Sequence, residues 1–233
     1  MSKKRRNNSN NNHNGNGQTK VNSYKIQKDF KAKTDGQIDY VRAIVESEVV
    51  FCTGPAGTGK TACAVGLACE HLTQNKVANI VITRPVMETG RTGLGYLPGS
   101  MENKIHPYLV PILDEMKIYL GKYQTELLIE NNTIRIVPLE YMRGYNFHQS
   151  FIILDEAQNA TLSQLKMVLT RIGRGSTIVI TGDMKQSDLF EDQMGLITCL
   201  DRLHDVRGVS IVKLTEKDIV RNGIISRILA KLE

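Results

Sequence analysis

Two stretches carry residue types and spacings that could do chemistry. The first is "GPAGTGKT", Gly54 to Thr61, which fits the pattern GxxxxGK[ST] between an apolar run and a helical one. Glycines there let the backbone curl so that successive N–H groups converge on phosphate oxygens. A lysine at the seventh position, Lys60, reaches the outer phosphates, and the hydroxyl of Thr61 is suited to ligate Mg²⁺. With glycine near 7% of residues, the bare pattern arises by chance in roughly one chain of this length in a hundred. The flanking strand and helix make an ordinary glycine-rich turn a poor account of it. The expectation is a nucleoside triphosphate site built from Gly54, Pro55, Ala56, Gly57, Thr58, Gly59, Lys60 and Thr61.

The second stretch is "FIILDEAQN", residues 151–159, where an apolar strand runs straight into Asp155 and Glu156. A phosphate-binding loop needs a second strand whose end delivers an acid to the metal. Asp155 fits that role. Glu156, one residue on, is expected to point elsewhere because successive strand residues alternate. It can polarise a water for in-line attack on the γ-phosphate. Acidic residues also favour helix N-termini for electrostatic reasons, but that bland account does not predict the loop upstream. A third stretch, "TIVITGDMKQ", ends another buried strand on Asp183, with Gln186 three residues later. An amide there can distinguish ATP from ADP through one hydrogen bond. Its strand is expected between the loop strand and the acid strand.

These segments need elements to hold them. Apolar residues at helical spacing (Ile38, Val41, Ile44, Val45) mark a first helix, with Thr34 or Asp35 as N-cap. Strands follow at "EVVFCTG", 79–83, 133–137, 151–155, 177–181 and 209–214. Helices are expected at 60–74, 103–120, 122–130, 161–171, 192–204 and 216–232. A Gly- and Pro-rich loop covers 84–100. Most strands read as continuous β-branched runs instead of alternating ones, and they interleave with helices. That pattern implies an α/β fold, a mostly parallel sheet covered by helices on both faces.

Composition narrows the rest. The chain has 233 residues, 41% of them hydrophobic, enough for one sizeable core, and a net charge of +6. Residues 1–33 hold nine of the 30 Lys and Arg but only one of the 24 acids, Asp29. Residues 34–233 therefore carry 21 basic against 23 acidic groups, so the positive charge belongs to the tail and gives no argument for a basic core. The span from Asn7 to Gln18 is almost entirely Asn, Gly and Ser, a composition expected to be disordered. Division into a tail, 1–33, and an ATPase domain, 34–233, follows. "KKRR" in the tail suits either solubility or an arm for phosphate backbones. No apolar run reaches the ~20 residues of a membrane span and no signal-peptide core follows the basic start. Cys52, Cys63, Cys69 and Cys199 form no CxxC pair and sit among apolar residues. They read as reduced core residues of a cytoplasmic protein rather than a zinc site.

Taken in order, "GPAGTGKT", "TRP" (83–85), "GLGYLPG" (93–99), "MRGYNF" (142–147), "ILDEAQN" (153–159), "LTRIGRGS" (169–176), "TGDMKQSDL" (181–189) and "DIVRN" (218–222) closely resemble the PhoH-like family. The resemblance covers about residues 34–233. That family of P-loop ATPases is linked to phosphate starvation in bacteria and is common in phages. It is similar in turn to the first motor domain of superfamily-one helicases, a three-layer RecA-like fold. The resemblance implies ATP hydrolysis with Mg²⁺ on nucleic acid, RNA more than DNA, in a bacterial or phage-infected cell, beside RNA-processing partners. It assigns phosphate and metal to the loop, Mg²⁺ and water to Asp155 and Glu156, and γ-phosphate sensing to Gln186. It also assigns adenine to Gln37, where relatives often carry Asn before that glutamine and this chain has Gly36. The alternative for Gln37 is a capping box with Thr34, in which its amide returns to the Thr34 backbone.

About 200 residues leave no room for a second motor lobe, so the arginine that completes hydrolysis is expected from a neighbouring subunit. Such a group is worth ~10³–10⁵ in rate. Candidates are Arg171, Arg174 and Arg221. Arg171 alternatively neutralises a helix C-terminus and Arg221 pairs with Asp218. Repeated head-to-tail contacts close into a ring, here expected to be a hexamer. For a nucleic-acid track the candidates are Arg84, Arg91 and Arg143. The 84–100 loop serves equally as a subunit contact. Three functions remain: a ring ATPase that moves on or remodels nucleic acid, an ATP-gated scaffold for an RNA-processing partner, and a small-molecule kinase. A kinase has no use for a water-activating Glu156, and no Arg-rich lid is present, which places it last.

Overall fold

The structure is a computed structural model that describes residues 24–85, 101–187, 195–220 and 231, with the side chains of 101–108 excepted. The elements in chain order are α1 (Asp35–Glu46), β1 (Val49–Thr53), α2 (Lys60–Thr73), β2 (Asn79–Thr83), α3 (Met101–Leu120) and α4 (Lys122–Glu130). They continue with β3 (Ile134–Ile136), β4 (Ser150–Leu154), α5 (Leu162–Leu169), β5 (Thr177–Gly182), α6 (Gly195–Leu203) and β6 (Val209–Lys213).

Six strands form one sheet in the order β3-β2-β4-β5-β1-β6, and every pairing is parallel. β5 lies between the loop strand β1 and the acid strand β4, as the sensor reading requires. The apolar runs are continuous because both faces are covered. Val50, Cys52, Ile80, Ile82, Phe151 and Ile153 pack with the helices α1 to α4. Their neighbours Phe51, Val81, Ile152, Leu154, Ile178 and Ile180 face the side of α5 and α6. Alternation of side chains thus splits the inner strands β1, β2, β4 and β5 between two cores, giving three layers. Parallel strands place all their carboxyl ends along one edge, and a ligand cleft belongs there.

Three expectations need correction. The buried stripe of α1 is Gln37, Tyr40 and Ile44, whereas Ile38 and Val45 face solvent. An amide displaces an isoleucine from that stripe because it has a partner inside, described below. The boundary at residue 34 is also too late. Tyr24, Ile26 and Phe30 pack on the core, Gln27 N–H donates to the Tyr119 carbonyl (2.7 Å) and Phe30 N–H to Glu70 Oε1 (3.0 Å). Basic residues at exposed positions disguise an apolar i, i+2, i+6 pattern there. The earlier part of the tail, Arg91 and Arg221 lie outside the described residues.

The third correction concerns the start of the helix expected at 216–232, of which residues 221–230 and 232 lie outside the described residues. Glu216–Asp218 form one 3₁₀ turn, and Ile219 is extended. Asp218 anchors that turn: its carboxylate accepts from Thr215 N–H (2.8 Å) and from Thr34 Oγ1 (2.6 Å), tying it to the N-cap of α1. A Cβ on Gly36 would lie 2.5 Å from Asp218 Oδ1, so an Asn in that place would expel the carboxylate. Burial alone would raise the pKa of Asp218, but hydrogen bonds from Thr215, Thr34 and the Gly36 N–H hold it below the ordinary value. The segment then crosses the phosphate loop, where Val220 N–H donates to the Gly57 carbonyl (3.1 Å). Among the described residues no helix is long and apolar enough to cross a membrane.

Candidate nucleotide site

At the carboxyl edge of the sheet lies a cleft of about 550 Å³, and Gly57, Lys60, Thr61, Asp155, Glu156 and Gln186 all line it. Residues separated by more than a hundred positions meet here because β1, β4 and β5 are adjacent.

The loop between β1 and α2 owes its shape to particular contacts. Gly59 has φ +83°, a left-handed conformation that strains any side chain, and a Cβ there would lie 2.7 Å from Gln37 Nε2. Thr58 is buried and its Oγ1 donates to the Pro55 carbonyl (2.8 Å), which ties the loop to itself. The Gln37 amide donates from Nε2 to the Thr58 carbonyl (2.9 Å) and accepts the Lys33 N–H at Oε1 (2.8 Å). Gln37 is therefore not the reciprocal half of a capping box, and each of its engaged amide atoms keeps further hydrogen-bonding capacity. Thr34 Oγ1 does accept the Gln37 N–H (3.2 Å), but the return bond goes to Lys33 instead of Thr34.

Lys60 Nζ donates to the carbonyls of Gly54 (2.5 Å) and Pro55 (2.9 Å), which sets its ammonium at the mouth of the loop. Burial lowers its pKa, partly offset by Asp183, Glu156 and Asp155 nearby. Phosphate oxygens carry full charge and would displace neutral carbonyls from it. Thr61 Oγ1 donates to Asp155 Oδ1 (3.0 Å), and Thr181 Oγ1 donates to the same oxygen (2.5 Å). Hydroxyl and carboxylate thus sit side by side, a hard oxygen pair that fits Mg²⁺ completed by waters and phosphate.

Glu156 departs from the strand alternation expected for it. β4 ends at Leu154, and Glu156 adopts φ 56°, ψ 39°, turning the chain into the 3₁₀ turn Ala157–Asn159. Both acids consequently face one cleft. A left-handed non-glycine residue costs roughly 1–3 kcal/mol and persists where surrounding contacts hold it. Those contacts are Arg84 Nη2 on Glu156 Oε1 (3.2 Å) and Gln158 Nε2 on Oε2 (2.6 Å). Gln158 was not singled out from sequence. It is buried, and its Oε1 accepts the Asp183 N–H (3.0 Å), joining the acid strand to the sensor strand. Its place as the fourth residue of "DEAQ", an amide at the end of a buried strand, was the available signal. Gln186 is exposed at the cleft, held through its own N–H to the Asp183 carbonyl (3.0 Å).

The remaining arginines are elsewhere. Arg171 caps its own helix, donating from Nε to the Met167 carbonyl (3.2 Å) and from Nη1 to the Tyr145 carbonyl (3.3 Å). The Arg174 carbonyl accepts the Gln149 N–H (2.9 Å) just before β4 begins, so Arg174 stands at the amino edge of the sheet, opposite the cleft. Arg143 is exposed at the end of the 3₁₀ turn Leu139–Met142. None of the three lines the cleft of its own chain.

The sheet order, the glycine loop and the paired carboxylates define a P-loop α/β domain of the class that binds nucleoside triphosphates. A solved structure of similar fold is the large terminase from a thermophilic bacteriophage, with a TM-score of 0.58 at 10% identity over 87% of this chain and 51% of that one. The chain belongs to the PhoH-like family: the family model described as PhoH-like protein matches residues 29–233. It is 43% identical over 203 residues to the PhoH-like protein of Bacillus subtilis (strain 168), and 38% identical over 201 residues to Protein PhoH of Escherichia coli (strain K12). These alignments cover 87% and 85% of this chain but 63% and 56% of the relatives, so the chain spans about three fifths of their length.

Proposed function

We propose that the protein hydrolyses ATP with Mg²⁺ and couples that hydrolysis to single-stranded nucleic acid, RNA rather than DNA, as a ring with its sites between subunits. A hexamer in the cytoplasm of a bacterial or phage-infected cell is the form we infer, with an RNA-processing protein as a further partner. The observation that carries this reading is the arrangement around Glu156. Asp155 stands beside Thr61 for the metal, and Glu156 faces the same cleft with a carboxylate fit to orient water. When bound, Mg²⁺ would draw charge from the phosphates. Lys60 would hold the outer phosphates, and Gln186 would lie within reach of the γ-phosphate.

Arg84 gives the nucleic-acid part its physical basis. It leads from β2 into the 84–100 loop and its guanidinium contacts Glu156. A strand phosphate competing for that guanidinium would change the hold on the water-orienting carboxylate, so polymer and fuel would share one group. The missing cation would come from Arg221, Arg171 or Arg174 of a neighbour. The position of Arg174 opposite the cleft suits a head-to-tail contact better than one within the chain.

ATP turnover measured with and without single-stranded RNA or DNA tests this. Stimulation by one polymer is expected, with a Glu156→Gln loss of about 10²–10⁴. Turnover indifferent to every polymer would favour a scaffold that binds ATP without moving on nucleic acid.

A further inference from the structure

Behind the phosphate cleft lies a second cavity of about 600 Å³, lined among others by Phe30, Gln37, Cys63 and Tyr119. Phe30 and Tyr119 meet at a ring-centroid distance of 6.2 Å and form an aromatic wall, the kind of surface that receives a flat heterocycle. The two cavities share four lining residues, Gly59, Ala62, Glu115 and Val220. A nucleotide with its phosphates on the loop and its base on the aromatic wall must lay its sugar across that shared rim. Three of the four have no polar side-chain atom. Glu115 is the exception.

The geometry of α3 orders these contacts. Residues four apart stack on one face of a helix, so Pro111, Glu115 and Tyr119 form a line. Pro111 borders the phosphate cleft alone, Tyr119 borders the aromatic cavity alone, and Glu115 borders both. Tyr119 Oη donates to Glu115 Oε1 (3.0 Å), which orients the carboxylate and leaves it most of its acceptor capacity. A carboxylate can only accept. Phosphate oxygens offer it nothing and would repel it, whereas ribose hydroxyls are donors.

We propose that Glu115 is the sugar-reading residue, accepting hydrogen bonds from the 2′- and 3′-hydroxyls and so selecting ribonucleoside over deoxyribonucleoside triphosphates. This rests on the nucleotide-site reading above and adds to it the substrate class. Removing a hydroxyl leaves a half-buried charge short of a donor, worth about tenfold in affinity.

Equilibrium binding of ATP, 2′-deoxyATP and 3′-deoxyATP to the full chain tests the assignment independently of turnover. The wild type is expected to bind ATP about tenfold more tightly than either deoxy form. Glu115→Ala should bring the ratio toward one, and the shape-preserving Glu115→Gln should give an intermediate ratio. A wild-type ratio near one, or a ratio unchanged in Glu115→Gln and Glu115→Ala, would overturn the role of Glu115 while leaving the site intact. Failure of all three nucleotides to bind, with Lys60→Ala behaving identically, would overturn the site itself and the proposal with it.

Discussion

At the scale of single residues, buried amides set the geometry that the charged groups use. Gln158 holds Glu156 with one end and the Asp183 N–H with the other, so one side chain links the end of β5 to the acid proposed to orient water. Gln158→Leu keeps roughly the volume and removes both bonds, together with a longer one from Nε2 to the Gln186 carbonyl (3.5 Å). Leaving the buried Asp183 N–H without a partner costs about 1–3 kcal/mol in stability. Because Gln158 does not line the phosphate cleft, kcat should fall by about ten- to a hundredfold through misplacement of Glu156 while ATP affinity changes little. Steady-state kinetics beside direct ATP binding separates these. Equal losses in binding and turnover would count against a positioning role.

At the scale of elements, the junction of α1 with the end of the chain depends on Asp218. Its carboxylate accepts from Thr34, Thr215 and the Gly36 N–H, and the segment it anchors goes on to meet the phosphate loop at Gly57. Its pKa is held below the ordinary 3.8, so the folded state favours the charged form. The resulting stability is fully present above the ordinary carboxylate value and is lost as pH falls through the lower, folded value. Asp218→Asn should lower the thermal midpoint at neutral pH, by about 1–3 kcal/mol in stability terms. The gap from wild type should narrow as the pH drops below about 3.8. Melting curves across that window decide it. A gap independent of pH would show that the carboxylate is not the group responsible.

At the scale of the whole molecule, the domain presents its cleft at one edge of a parallel sheet and exposed Arg174 at the other. A head-to-tail assembly turns such a polarity into a composite site, and repeated contacts of that kind close into a ring. Mixing Lys60→Ala subunits with Arg221→Ala subunits should restore part of the turnover that each lacks alone. The same mixture made with Arg174→Ala discriminates between the two arginines. Native mass measurement beside the assay checks assembly. A protein that stays monomeric and turns ATP over at full rate would exclude a completing cation from a neighbour.

The sequence by itself determined the α/β class, the parallel sheet, the place of the glycine loop, and the position of Asp155 and Glu156 at a strand end. Those features are local: a continuous apolar run bounded by glycines and acids carries its meaning within ten residues. Tertiary structure decided the rest. Gln37 turned inward because Thr58 offers it a carbonyl, and Glu156 joined Asp155 in one cleft because its backbone rotated under the hold of Arg84 and Gln158. The link between Thr34 and Asp218 spans 184 positions. Glu115 gained its place only where two cavities meet, a relation that no periodicity along one helix encodes. Hydrogen bonds between distant residues are chosen by which elements happen to pack together, and that choice is made by the folded core as a whole.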